Sequence, residues 1–210
     1  GQQLHHFGDG GLVLSEGLQL LAAMGQFFRA QGPALAGIPE HKQRVQGNKA
    51  QGNRRCGAHG SGGMIKVGNL LYGLTQDGGS KGGGTLFSYN PVRAELTVLH
   101  NFLDITDDGL HPYASLLHVN GKLYGTTQNG GKHAATGSDG VIFSYDIQNQ
   151  TYEIVHNCGD IVNDGYFLIS TLIKDPNSSK IYGMSELGGT GDGTIFSFDP
   201  NTPGSYKIEY

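Results

Sequence analysis

The fold is decided by residues 122–131, Lys-Leu-Tyr-Gly-Thr-Thr-Gln-Asn-Gly-Gly, together with residues 140–146, Gly-Val-Ile-Phe-Ser-Tyr-Asp. The same pattern occurs three times. Tyr-Gly steps fall at positions 72, 124 and 182, and Phe-Ser steps fall at positions 87, 143 and 196. Matched positions in three copies establish an internal repeat over residues 64–210, with a unit of about 50 to 58 residues.

Each copy of the repeat predicts four short strands. In the middle copy the predicted strands are 114–119, 122–127, 141–145 and 151–156, and a Gly-rich loop runs from 128 to 140. Asn120-Gly121 separates the first two strands, and this dipeptide is a strong hairpin signal. Strands rich in β-branched and aromatic residues, with no helical interval, are typical of a propeller blade. We therefore predict an all-β partial β-propeller of about two and a half four-stranded antiparallel blades, at about 64–113, 114–166 and 167–210.

The composition supports this class and excludes others. The chain has 36 Gly, 37% apolar residues and only 15% charged residues, which fits a turn-rich β-protein. Its net charge of −4 gives no reason to expect a nucleic-acid partner. Residues 12–28 are fairly apolar, but they are too polar to span a membrane and lack a preceding Lys or Arg for a signal peptide.

Residues 1–63 differ from the repeat region. They carry six Lys or Arg and three Asp or Glu, whereas residues 64–210 carry eight and fifteen, and all ten Tyr follow residue 63. Residues 14–31 predict a short helix that Gly17 and Gly25 weaken, and 32–63 is interpreted as loop or disorder. The segment is a degenerate blade, a linker or misjoined sequence, and the simultaneous change of composition and pattern favours the last two. Cys56 and Cys158, one in each segment, do not establish a disulfide.

The number of blades is too small for a closed ring, because propellers close with about four to eight. An open arc would expose apolar blade faces. We therefore expect a fragment of a longer protein, or else a ring completed by several chains.

The repeat resembles the GloVer (Gloeobacter–Verrucomicrobia) tandem repeat, with its Leu-Tyr-Gly-Thr-Thr core, Gly-rich stretch and Gly-Thr-Val-Phe strand. The junction of that family is matched by 98–102, by Asp108-Gly109 and by 112–116. The next junction departs from it, since Cys158 replaces the Phe and no Pro follows Asp164-Gly165. The resemblance implies a bacterial repeat protein that is exported or attached to the cell surface, and it supplies no catalytic residue to transfer.

Asp104, Asp107 and Asp108 are candidate calcium ligands, because Ca²⁺ requires six to eight oxygen ligands. Asp160, Asn163, Asp164 and Gly165 stand at the corresponding place one repeat later. The spacing differs from that of an EF-hand, and the alternative is an Asp-Gly turn between blades, which we favour.

The histidines suggest structure rather than metal binding. His100 and His156 occupy equivalent positions before Asn101 and Asn157, and such repetition favours a structural hydrogen bond over a ligand role. His5 and His6 are adjacent, so their side chains diverge in a strand, while His111 and His133 lie in loops without a counterpart in other repeats.

Other chemical motifs are absent or better explained by turns. The chain has no Gly-x-Ser-x-Gly elbow, no Cys/His zinc pattern and no Trp. The run 82–84 precedes a strand and not a helix, so it is read as a flexible loop and not as a phosphate cradle. Ser138-Asp139-Gly140 is likewise read as a turn and not as a sialidase-type Asp-box.

Two functions follow from these observations. The favoured one is a non-catalytic propeller that binds an unknown protein or glycan, or acts as a scaffold, through the variable loops 76–84, 128–140 and 186–193. The alternative is part of a propeller hydrolase or lyase acting on polysaccharide. The sequence predicts no catalytic residue and no cofactor. A His or acidic residue that breaks the repeat at one blade would favour the enzyme.

Overall fold

The computed structural model describes residues 60, 62–103, 107–133 and 139–210. The predicted helix at 14–31, His5, His6, Cys56, Asp104 and Ser138 lie outside these residues, so the interpretations that rest on them stay predictions. The described residues form strands and turns only.

Three four-stranded antiparallel sheets follow one another along the chain. Blade 1 contains β1 (Ile65–Val67), β2 (Leu70–Thr75), β3 (Thr85–Asn90) and β4 (Glu95–Asn101). Blade 2 contains β6 (Leu117–Val119), β7 (Lys122–Gly130), β8 (Val141–Asp146) and β9 (Thr151–Asn157), and β5 (Gly109–Pro112) also pairs with β7. Blade 3 contains β11 (Ile173–Lys174), β12 (Ile181–Ser185), β14 (Thr194–Phe198) and β15 (Lys207–Ile208), while β10 (Gly165–Tyr166) pairs with β13 (Leu187–Gly188). The predicted all-β, blade-type architecture is confirmed.

Two predicted boundaries of blade 2 are clearly wrong. The first strand, predicted at 114–119, is limited to Leu117–Val119. The sequence ends the second strand of blade 2 at Thr127, whereas β7 continues to Gly130. The reason is β5, which approaches from the preceding linker and pairs Leu110 with Asn129 and Pro112 with Thr127. The first part of the predicted Gly-rich loop is therefore a strand held by a partner distant in sequence.

The Tyr-Gly and Phe-Ser steps are explained by their pairing. Gly125 lies directly opposite Phe143, and a Cβ on Gly125 would meet the Phe143 ring. The same holds for Gly73 with Phe87 and for Gly183 with Phe196. Glycine is thus required because the aromatic ring of the neighbouring strand covers its backbone.

Alternating residues of β8 build two interfaces. Val141, Phe143 and Tyr145 pack in a core cluster with blade 1, whose members include Tyr72, Leu74 and Leu86. Ile142 faces the other way and packs with residues of blade 3 that include Phe196 and Phe198. A blade therefore buries both of its faces, and the core lies between the blades rather than within one of them.

Candidate functional site

Ionisable side chains that could take part in chemistry lie together at the junctions between blades. At the second junction, His156 Nε2 lies 2.8 Å from Asp164 Oδ2. The Tyr206 hydroxyl of blade 3 donates a hydrogen bond of 2.7 Å to Asp164 Oδ1. The amide groups of Gly159 and Gly165 also donate to this carboxylate, each at 2.8 Å. The His156 ring stacks on Tyr206 with centroids 3.5 Å apart. We call this arrangement of His, Asp and Tyr the junction clasp.

The first junction carries the same clasp in a looser form. His100 Nε2 lies 3.0 Å from Asp108 Oδ2 and 3.2 Å from its Oδ1, and the His100 ring stacks on Tyr152 with centroids 3.8 Å apart. The Tyr152 hydroxyl is buried beside Asp108 without a hydrogen bond of good geometry. His100 and His156 thus make the structural hydrogen bond that their repeated position predicts.

Burial and hydrogen bonding set the charge state of the second clasp. Burial alone would raise the pKa of the Asp164 carboxyl, but the hydrogen bonds from His156 and Tyr206 hold its pKa below the ordinary value. Burial and the same Asp164 contact raise the pKa of Tyr206. The clasp therefore combines an ionised Asp164 with a neutral phenol. The His156 side chain is only 7% exposed, so a substrate could not reach it.

The residues that the sequence proposed for calcium are not brought together as a complete site. Asp107 is exposed, whereas Asp108 is buried and accepts hydrogen bonds from the amides of Leu103 and Gly109 as well as from His100. Among the described residues, no three His, Cys, Asp or Glu side chains are grouped as a metal site would require. Asp104 is not described, and the calcium site stays a prediction.

Sequence reasoning missed Tyr152 and Tyr206. The signal was present, because Thr-Tyr-Glu-Ile at 151–154 and Ser-Tyr-Lys-Ile at 205–208 align in the last strand of blades 2 and 3. Blade 1 has Leu96 at the same position. Only the contact between neighbouring blades shows that the Tyr of one blade packs against the His and Asp at the end of the preceding blade.

The second candidate region is the end of the blades that carries the linkers between blades and the loops between their second and third strands, which we call the loop end. Asn101 Oδ1 accepts from the amide of Ser80 at 2.9 Å, and Asn157 Oδ1 accepts from that of Lys132 at 3.0 Å. The last strand of each of these blades therefore fixes its own loop. The His133 ring also lies 2.9 Å from Asp160, which links the middle loop to the next linker.

A shallow groove lies at the loop end beside blade 3. Its volume is about 480 Å³, and Tyr166, Asn163 and the glycine-rich stretch 188–191 are part of its lining. Tyr166 pairs directly with Leu187, so their side chains share one side of the two-stranded sheet, and each is 37% exposed. Ile161 lines the groove as well, and the neighbouring Val162 is 88% exposed. The lining of the groove thus combines apolar side chains with polar side chains and glycines.

Among the described residues, no helix has the length and apolar character needed to cross a membrane.

The sequence model of the Gloeobacter/Verrucomicrobia repeat matches residues 41–210. The chain belongs to this repeat family. The match confirms the resemblance seen in the sequence, and it begins upstream of Met64, so it includes part of segment 1–63.

Comparison with solved structures gives distant matches. TolB from Acinetobacter baumannii is 16% identical, with 67% of this chain and 29% of that chain covered and a TM-score of 0.41. Native Bacillus subtilis arabinanase Arb43A is 16% identical, with 68% of this chain and 53% of that chain covered and a TM-score of 0.41. A chain of the nidogen/laminin complex is 13% identical, with 68% of this chain and 60% of that chain covered and a TM-score of 0.32. This chain therefore spans less than two thirds of the length of each of these proteins. No curated protein matches the chain.

Proposed function

We propose that this chain is a non-catalytic propeller repeat protein that binds a protein or glycan partner through the loop end, outside a bacterial cell or on its surface. The observation that carries the proposal is the groove lined by Ile161 and Tyr166, with Val162 and Leu187 exposed beside it. The linker that carries Ile161 is held by hydrogen bonds to Asp160 and Asp164. Exposed aromatic and aliphatic side chains on a rigid scaffold are typical of recognition sites. The assignment to the outside of the cell rests on the family resemblance alone.

The junction clasps support a binding role over catalysis. A His–Asp pair beside a Tyr has the groups for acid–base chemistry. However, the pair recurs at two successive junctions. In each, the His ring stacks on the Tyr ring and the Asp carboxylate accepts a hydrogen bond from a backbone amide. These features are those of an element that joins blades.

The test compares two valines of equal exposure. Val162 is at the loop end, whereas Val92 lies in the turn between β3 and β4, and each is 88% exposed. After a glycan array and a protein-binding screen identify a partner, Val162→Asp should weaken binding about tenfold or more. Val92→Asp, as the control, should leave binding unchanged. Equal effects of the two substitutions would contradict a binding site at the loop end.

One observation favours the alternative, a hydrolase or lyase acting on polysaccharide. His111 breaks the repeat, since Phe167 stands at its position in the next linker, and both residues have a positive φ, of 52° and 59°. His111 lies 3.6 Å from Asp77 and 3.3 Å from Asn129, and its side chain is 37% exposed. A partly exposed His between two polar side chains is a candidate general base.

A hydrolase and lyase screen on plant and bacterial polysaccharides decides between the two functions. The proposal expects no turnover. Turnover that His111→Ala abolishes, with the melting temperature unchanged, would establish the enzyme and refute the binding role.

A further inference from the structure

A row of polar side chains crosses blade 2 on the face turned toward blade 3. Tyr124 of β7 pairs with Ser144 of β8, and Ser144 pairs with Glu153 of β9. Directly paired residues of antiparallel strands place their side chains on the same face. The Tyr of the Tyr-Gly step and the Ser of the Phe-Ser step therefore meet as neighbours by the construction of the repeat.

A cavity of about 230 Å³ lies in front of this row, between blades 2 and 3 and away from the loop end. Phe198 of blade 3 forms part of its wall, with its ring centroid 5.9 Å from that of Tyr124. Pro200, in the turn that follows, also lines the cavity. At the first junction the equivalent residue is Ile147, which packs against the core cluster that contains Tyr72 and Tyr145.

The turn of blade 3 also differs in length. Seven positions separate Asp199 from Tyr206, whereas six separate Asp146 from Tyr152 in blade 2. The longer turn, with Pro in place of Ile, replaces a packed side chain by a lined cavity. The second junction is thus locally different from the first, although its clasp is the same.

Two hydroxyl groups line this cavity and have no hydrogen-bond partner among the described residues. They belong to Tyr124 and Ser144, each of which is 4% exposed overall. The equivalent Ser197 of blade 3, in contrast, donates a hydrogen bond of 2.7 Å from its hydroxyl to Glu209. Neither hydroxyl oxygen is among the fully buried unpaired side-chain atoms of the described residues, where the Tyr152 hydroxyl is the one example, so both are accessible from the cavity. Hydroxyls that stay free at a cavity are therefore positioned to bind something other than the protein.

The charged groups around the cavity already have partners, which disfavours a strongly charged occupant. Lys122 Nζ lies 3.7 Å from Glu153, so the one cation of the lining is paired. Asp199 accepts hydrogen bonds from Ser179 Oγ at 2.6 Å and from the amide of Asn201 at 2.9 Å. An anion would find no unpaired positive charge in this lining, and a cation would compete with bonds already made.

We infer that this cavity binds a neutral, polyhydroxylated ring the size of one sugar residue. Hydroxyl groups that both donate and accept match the hydroxyls of such a ligand. Pro200 and the Tyr206 ring, which line the cavity and are only partly buried, supply the apolar surface on which the less polar face of a sugar ring packs. The volume is below the range of about 300–1,000 Å³ that is usual for drug-sized ligands, which limits the occupant to about one ring.

The test uses the intact chain and a panel of neutral monosaccharides and cyclic polyols, with binding measured by ligand-observed NMR. Tyr124→Phe and Ser144→Ala each remove one hydroxyl and keep the remaining shape. Each should raise the dissociation constant of the best ligand about five- to tenfold. The controls Tyr72→Phe and Ser88→Ala remove the equivalent hydroxyls at the first junction and should leave the dissociation constant unchanged.

A stability measurement separates ligand binding from a structural role. Because neither hydroxyl bonds to the protein, Tyr124→Phe and Ser144→Ala should leave the melting temperature unchanged or raise it. A fall in melting temperature for both variants would show that the hydroxyls act in folding, and would overturn the inference. Binding of no panel member at tens of millimolar, which would mean that the cavity holds water only, would also overturn it, as would equal effects of the test and control variants.

Discussion

The junction clasp is the feature whose energetic role can be predicted most sharply. Tyr206→Phe removes the hydroxyl that donates to Asp164 at 2.7 Å and keeps the ring that stacks on His156. A hydrogen bond to a charged group contributes about 1.5–3 kcal/mol. Because Asp164 keeps His156 and two backbone amides as donors, the loss should lie at the lower end, at about 1.5 kcal/mol. For a chain of this length, that corresponds to a fall in Tm of about 3–6 °C.

Tyr152→Phe is the matched control, because the Tyr152 hydroxyl at the first junction makes no hydrogen bond of good geometry. Because this hydroxyl is buried without a partner, its removal should leave the free energy of unfolding unchanged or raise it. Urea unfolding followed by far-ultraviolet circular dichroism and tyrosine fluorescence measures both variants, since the chain has no Trp. Equal losses in the two variants, or no loss in Tyr206→Phe, would refute the role assigned to this hydrogen bond.

The pH dependence supplies a second check with a defined sign. The pKa of Asp164 is lowered in the folded state, so its stabilisation is present above the unfolded pKa of about 3.9 and is lost as the pH falls through the folded value. The pKa of Tyr206 is raised, so its stabilisation is present below about pH 10 and declines as the pH rises beyond that. The difference in stability between the native chain and Tyr206→Phe should therefore be constant from pH 5 to pH 9 and shrink on both sides.

Four further outcomes test other parts of the fold. Gly125→Ala should cost about 1–3 kcal/mol in urea unfolding, because its methyl group would meet the Phe143 ring, and a neutral effect would refute that packing. Asn157→Ala removes the side chain that accepts from the Lys132 amide, so limited proteolysis should cut the 128–140 loop faster than in the native chain; an unchanged rate would show that the loop is held otherwise. Burial raises the pKa of the Cys158 thiol, so in a Cys56→Ser background a thiol reagent should label the chain only on unfolding, and fast labelling in native buffer would contradict its burial. A calcium site at the Asp-Gly turns would make EDTA lower the Tm and added Ca²⁺ restore it, whereas an unchanged Tm would remove that prediction.

The sequence predicted those features that are local or repeated. The strands follow from alternation and turn residues, and the hairpin at Asn120-Gly121 has the expected positive φ at both residues. The equivalence of His100 and His156 was visible because each follows the Phe of its Phe-Ser step by 13 positions. These are properties of one repeat unit and need no knowledge of how the units pack.

Features that depend on packing between units could not be predicted. The clasp joins Asp164 to Tyr206, 42 residues later, and only the placement of blade 3 against blade 2 brings them together. The extension of β7 likewise depends on β5, which approaches from outside the hairpin. The groove at the loop end and the cavity behind Tyr124 both require knowledge of which side chains remain uncovered, and a sequence pattern does not contain that information.

Comparing equivalent positions separates the frame of the propeller from what is added to it. The clasp, the Gly–Phe pairs and the loop-fixing Asn residues recur, and each is explained by packing or hydrogen bonding between strands and blades. Such positions would be needed in any propeller of this repeat, whatever it binds. Two of the positions that change while the frame is constant are His111 against Phe167 and Ile147 against Pro200. The first change adds a polar cluster at the loop end and the second leaves a cavity at the opposite end. Specific function in this chain should therefore be sought where the repeat is broken, and the residues that make the repeat recognisable are the ones that hold it together.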